Sequence, residues 1–225
     1  MTSIEEVGSI SEQTLLADIA KIAKDLSVRL AAIGKLTDQS VLGDIARSGE
    51  YLVSTAAAKK LTDQSTLADI AKNDKINLVR EAAVENLNLT DQVILTGIAK
   101  NDVDWQVRKA AVKKLTDQAV LADIARNDVQ GDVRKASVEK LTDQAVLADI
   151  AKSAADWQVR MAAVKKLTDQ ALLTDIAKND EEEWVRKAAV EKLTDENILT
   201  DIAKNDEMEY VREAAKSRLK ELQGK

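Results

Sequence analysis

Apolar residues along the chain recur at helical rather than strand spacing. In the stretch 115–141 they fall at Val120, Leu121, Ile124 and Ala125, then at Val133, Ala136, Ser137 or Val138, and Leu141. Positions three and four apart share one helix face, so the stretch predicts two short amphipathic helices separated by the polar pair Asn127-Asp128. Ahead of the first helix stands Leu115-Thr116-Asp117-Gln118. Thr116 is the expected cap of the orphan N–H groups, Asp117 sits at the positive dipole end, and Leu115 is placed to staple onto Val120. Lys140, in the last turn of the second helix, meets its negative dipole end.

The same pattern returns along the whole chain. Leu-Thr-Asp-Gln begins at Leu36, Leu61, Leu89, Leu115, Leu141 and Leu167, with degenerate copies at Ile10 and Leu193, and Leu219 marks where a ninth would start. The interval is 26 residues except for one of 25 and one of 28, the longer owing to two extra residues around Asn86 to Asn88. Helices of about ten residues are marginal alone, and each pair leaves an apolar face that only a neighbouring pair can cover. The expectation is an all-α protein: an α-solenoid, wound as a right-handed superhelix, of about eight two-helix repeats starting at residues 10, 36, 61, 89, 115, 141, 167 and 193. Residues 1–9, with Ile4 and Val7, and residues 219–225 are expected to cap its ends within a single domain spanning 1–225.

Composition narrows the chemistry. The chain has 225 residues and no Pro, Cys, His or Phe. That removes thiol nucleophiles, disulfides, cysteine metal sites and imidazole acid–base catalysis, so neither a cofactor nor a metal is expected. A net charge of −6 argues against a nucleic-acid groove or an anionic membrane surface. No run is long and apolar enough for a membrane helix and no secretory leader is evident. The expectation is a monomeric cytoplasmic protein.

The segments Asp102 to Leu115 and Asp180 to Leu193 share Asp-x-x-x-x-Val-Arg-Lys-Ala-Ala-Val-x-Lys-Leu and resemble the second half of HEAT-like repeats. The 26-residue period and the Leu-Thr-Asp-Gln-x-x-Leu segment look like the leucine-rich repeat variant (LRV) group. That group alternates α and 3₁₀ helices around prolines, which are absent here, so paired α-helices are expected instead. HEAT-like relatives include binding scaffolds, lyases and DNA glycosylases, and the resemblance therefore implies a fold rather than a function.

Differences between repeats carry more information about function. The Val before the repeated Arg is Val28, Val53, Val79, Val107, Val133, Val159, Val185 or Val211, and every Trp and Tyr falls one or two residues before it. Together with variable residues two positions after that Val, this gives a candidate partner-binding stripe of Tyr51, Leu78, Trp105, Gln106, Lys109, Trp157, Gln158, Met161, Glu183, Trp184, Glu209 and Tyr210. The alternative is that these aromatics only cover gaps between helices. Six positions after the Val, Lys59, Glu85, Lys113, Glu139, Lys165 and Glu191 alternate in sign and suggest a surface ion ladder. Asp18 and its counterparts on the first helices, with Arg29 and its counterparts on the second, recur too often for a catalytic pair. They are expected to stitch layers or bind loop carbonyls, less firmly where Ser54 and Gly97 interrupt the two series.

Three function classes follow. The favoured one is a non-catalytic scaffold binding a protein or peptide, basic in character because residues 179–225 carry −4 of the total charge. The second is a structural spacer. The third is a nucleic-acid-acting relative, suggested only by the sets Asp104-Trp105-Arg108 and Asp156-Trp157-Arg160. The near identity of the repeats fits an engineered consensus array as well as a recently duplicated natural one.

Overall fold

The computed structural model describes residues 3–86 and 88–224. Met1, Thr2 and Lys225 of the expected caps, and Leu87 of the expected insertion, lie outside the described residues. Among those described there are seventeen α-helices and no strand or 3₁₀ segment, so the repeats are paired α-helices. The chain forms two compact bodies, Met1–Leu115 and Thr116–Lys225.

In the first body a short α1 (Ile4–Ser9) precedes four pairs: α2 (Gln13–Ile22) with α3 (Leu26–Lys35), α4 (Gln39–Ala46) with α5 (Tyr51–Lys60), α6 (Gln64–Asn73) with α7 (Asn77–Glu85), and α8 (Gln92–Asn101) with α9 (Trp105–Lys114). The second body holds α10 (Gln118–Asn127) with α11 (Gly131–Lys140), α12 (Gln144–Ser153) with α13 (Trp157–Val164), α14 (Gln170–Asn179) with α15 (Glu183–Val190), and α16 (Glu196–Asn205) with α17 (Glu209–Gln223). Within each body every second helix packs on its own first helix and on the second helices before and after it. The core is one Leu and one Ile per first helix, such as Leu147 and Ile150, plus Val and Ala from the second helices, such as Val159 and Ala163. Each fully buried Leu contributes about 1.5–3 kcal/mol relative to exposure, and small Ala side chains let the second helices approach closely.

Leu-Thr-Asp-Gln works differently from the expected cap. Asp, not Thr, is the N-cap: the Asp117 carboxylate accepts from the N–H groups of Ala119 and Val120 at 2.9 and 3.1 Å. Leu115 is the fully buried C-cap of α9 rather than a staple for α10. Thr and Gln join successive repeats. Gln118 accepts from the N–H and hydroxyl of Thr142 at 2.9 and 3.1 Å, and its amide donates to the Lys140 carbonyl at 3.4 Å. Gln144 does the same with Thr168 and Lys166, and Gln170 with Thr194 and Lys192. In the first body Gln13, Gln39 and Gln64 hold Thr37, Thr62 and Thr90.

The lysine closing a second helix also reaches across a layer instead of serving only its own helix. Lys166 donates to the Glu139 carbonyl at 2.5 Å, Lys192 to that of Lys165 at 2.7 Å, and Lys60 to that of Gly34. Each thereby satisfies a terminal carbonyl of the preceding helix. The partial burial this requires pushes the Lys60, Lys114 and Lys166 ammonium groups below their ordinary pKa.

The insertion after α7 is densely bonded rather than loose. Buried Asn86 donates to the carbonyls of Ala58 and Leu61, both at 2.8 Å, and Asn88 adds a bond to Leu61. Ser54, where the repeated Arg is missing, is fully buried and donates to the Ile45 carbonyl at 3.2 Å. The expected weakness at these two places is therefore replaced by local bonds. The expected ladder of alternating charges is not closed: no ion pair joins Lys59 to Glu85, or Lys165 to Glu139 or Glu191, and Glu191 instead pairs with Lys187 one turn earlier in its own helix.

Candidate functional site

The turn between the helices of a repeat sets the geometry of the face the second helices present. Its Asp, as at Asp180 and Asp206, accepts from the N–H two residues on, and this bends the chain into the next helix. The same carboxylate receives the repeated Arg of the preceding repeat. Arg186 binds Asp206 through two bonds of 3.0 and 3.2 Å, and Arg160 binds Asp180 at 3.0 and 3.0 Å. Arg80 grips Asp102 at 2.8 and 2.8 Å. A third guanidinium N–H returns to a carbonyl of the residue's own turn, as from Arg186 to Asp180. The carboxylate bonds hold these guanidinium groups even more firmly protonated than usual. The first-helix Asp series forms a separate ladder, to the last turn of the preceding first helix: Arg47 to Asp69, Arg126 to Asp149 and Lys178 to Asp201.

This rigid turn fixes where the candidate stripe residues emerge. Trp184 is 42% exposed at the start of α15 and stacks on Tyr210 of α17, ring centroids 5.0 Å apart and planes 16° from parallel. The Tyr210 hydroxyl donates to Glu183 at 2.6 Å. That bond holds the Glu183 carboxyl below, and the Tyr210 phenol above, its ordinary pKa. Lys187 lies over the Trp184 ring at 5.9 Å, and Lys109 over Trp105 at 5.7 Å. Beside the Trp184–Tyr210 pair runs an open groove of about 560 Å³ between α15 and α17, lined by Lys187, Glu191, Tyr210, Glu213 and Arg218.

The remaining predicted residues do not join this cluster. Trp157 and Met161 are half-buried on α13, and Trp157 makes no ring contact with Trp184. Gln158 and Glu209 are exposed. In the first body Tyr51, Leu78 and Gln106 are exposed, while Trp105 and Lys109 are half-buried. The stripe is thus continuous only at Trp184 and Tyr210. Sequence reading missed Glu213, Ser217 and Arg218, which share the groove because α17 runs on for 15 residues where other second helices stop at ten or fewer. The acidic–aromatic–basic sets do not converge on any cleft. Arg160 is 5% exposed and spent on Asp180, Asp156 caps α13 and binds Arg134, and Asp104 caps α9 and accepts from Asn77 at 2.6 Å.

Among the described residues no His, Cys, Asp or Glu group is arranged to hold a metal ion, and no helix is long and apolar enough to cross a membrane. No sequence-family profile matches the chain, and no characterised protein matches it significantly in sequence. Solved structures do share its architecture. A leucine-rich repeat variant, described as having a novel repetitive structural motif, superposes with a TM-score of 0.75 at 21% identity, over 97% of this chain and 88% of that one. YibA of Escherichia coli superposes with a TM-score of 0.54 at 16% identity, over 96% of this chain and 95% of that one. The chain therefore has the all-α repeat-solenoid fold of the leucine-rich repeat variant.

Proposed function

We propose that the chain is a non-catalytic binding scaffold that takes a basic peptide or protein surface across the second helices of the second body. The observation that carries this reading is the exposed Trp184, held in place by Tyr210 and bordered by Glu182, Glu183 and Glu209. A large ring already immobilised loses little entropy on contact, and surrounding carboxylates steer a cationic partner toward it. The adjoining groove supplies room for side chains, with Glu191, Glu213 and Glu221 as acceptors. The recurring Asp and Arg residues are committed to joints between layers, which leaves the variable second-helix face as the surface free to recognise something.

A spacer is the second reading. It is favoured by the way Tyr210 satisfies both its ring and its hydroxyl inside the molecule. Tryptophan emission during titration with short peptides that interleave Lys or Arg with Leu or Phe separates the two. A scaffold gives saturable emission changes that weaken as salt rises and vanish in a Trp157→Ala, Trp184→Ala, Tyr210→Ala variant followed by a peptide-borne dye. Binding that survives these substitutions and ignores salt shows that the stripe is not the site.

A further inference from the structure

The N-terminal end of the first body is only half covered. Helix α1 stands where the last turns of a preceding second helix would lie: Lys35 donates to the Gly8 and Val7 carbonyls at 2.5 and 3.3 Å, as Lys192 does to Lys165. Nothing fills the place of a preceding first helix. What remains is a groove of about 970 Å³ with Ile4, Leu15, Ile19, Ile22, Asp18 and Asp25 in its wall. Ile22 is 78% exposed, Ile4 54% and Leu15 43%.

The terminal repeat of a stack ordinarily turns a polar outer face to water. This one does the reverse. The position of Ile22 is Ser48, Asn73, Asn101, Asn127, Ser153, Asn179 and Asn205 in the other repeats. There the Asn clamps the first-helix Asp of its own helix, as Asn73 does Asp69 at 2.9 Å and Asn179 does Asp175 at 2.8 Å. In the first repeat Ile22 removes the clamp, and Asp18 has no hydrogen-bond or ion-pair partner among the described residues. An exposed isoleucine beside an unpaired carboxylate is a surface for burial under something apolar and cationic. The interior repeats show what covers the same surface: a first helix whose last turn sends Arg126 to Asp149 at 2.9 Å, or Lys178 to Asp201 at 2.8 Å.

We propose that this groove docks a cationic amphipathic helix of a partner protein, laid on α2 as the first helix of a preceding repeat would be, with a Lys or Arg on Asp18. The last helix pair of a second copy does not fit, because its α17 would fall where α1 already lies. The probe is a helix-stapled, dye-labelled peptide with the sequence Asp117–Asp128, which carries Arg126, titrated into the full chain by fluorescence anisotropy. The expected result is saturable binding at least tenfold weaker for Ile22→Asn, a residue the other repeats tolerate at this place. Asp18→Asn is expected to weaken it severalfold, and Arg126→Gln in the peptide to cost nothing further in that variant. Circular dichroism melts confirm that both variants keep their fold. No saturable binding, or affinity within twofold of the parent for Ile22→Asn, overturns the proposal. So does a concentration-dependent dimer that Ile22→Asn abolishes, which would assign the groove to a second copy. None of these readouts involves Trp184 or Tyr210, so the outcome is independent of the second-helix stripe.

Discussion

Arg134 meets Asp156 at 2.9 Å in a layer where the usual acceptor, two residues earlier, is Ala154. The same exchange occurs at Arg29, which binds Glu50 at 2.5 Å where Ser48 stands in the usual Asp position. The guanidinium is thus satisfied in each layer by whichever turn residue carries the acid. The exchange also explains Gly131, which stands where Trp105 and Trp157 stand in their repeats: a Cβ there would come within 2.4 Å of the Asp156 carboxylate.

Asp156→Ser keeps an oxygen to cap α13 but removes the acid from Arg134. Urea unfolding is expected to show a loss of about 1–2 kcal/mol, the scale of a charge-assisted bond in a half-buried setting. Adding Ala154→Asp, which restores the arrangement of the other layers, is expected to recover most of it. A double variant no more stable than Asp156→Ser alone would falsify the exchange.

Ser137 is fully buried, its hydroxyl has no partner, and the matching positions are Ala111, Ala163 and Ala189. An unmade bond of this kind costs about 1–3 kcal/mol. Ser137→Ala is therefore expected to raise stability by about 1 kcal/mol in thermal or urea unfolding. Unchanged or lowered stability would mean that the hydroxyl is satisfied in solution.

Acid is expected to loosen the stack. Hydrogen bonds and ion pairs from Lys178 and Asn205 hold the Asp201 carboxyl below its ordinary value, from Asn73 and Arg47 that of Asp69, and from Arg29 that of Glu50. Groups lowered on folding contribute stability that is complete above the unfolded pKa and is lost as the pH falls through the folded one. Glu81 acts in the opposite sense, since burial and nearby Glu85 and Asp104 raise its pKa and its contribution improves on acidification. With several lowered carboxyls against one, the urea midpoint is expected to stay level from about pH 7 to 5 and to decline below about pH 4.5. Asp201→Asn is expected to make that decline shallower. A midpoint steady down to about pH 2 would remove the argument.

The repeat architecture was legible because each buried Leu and Ile returns at the same place every 26 residues, and helical spacing needs no tertiary information. The joints were not. Gln118 and Thr142 lie 24 residues apart and Arg186 and Asp206 lie 20 apart, so their pairing depends on how one layer seats on the next, which periodicity alone does not fix. Thr116 was misread as a cap because Thr and Asp both suit that role, and only the Gln from the neighbouring layer shows why Thr precedes Asp in these repeats. At the candidate site the aromatic positions were readable as departures from the repeat. The stacking of Trp184 on Tyr210 and the groove beside them required the extended length of α17.

The glutamine joint has a consequence for how such a chain can change length. Its two halves, a Gln on the leading side and a Thr with the carbonyl of a Lys on the trailing side, are the same from Gln118 to Thr194. A repeat cut at its Leu and moved elsewhere carries one half of each joint and meets the other half wherever it lands. The guanidinium joint is not interchangeable in this way. Arg134 needs the neighbour that bears Asp156, and that acid needs a glycine at 131. One joint lets repeats be added or lost freely, while the other fixes the order of particular neighbours.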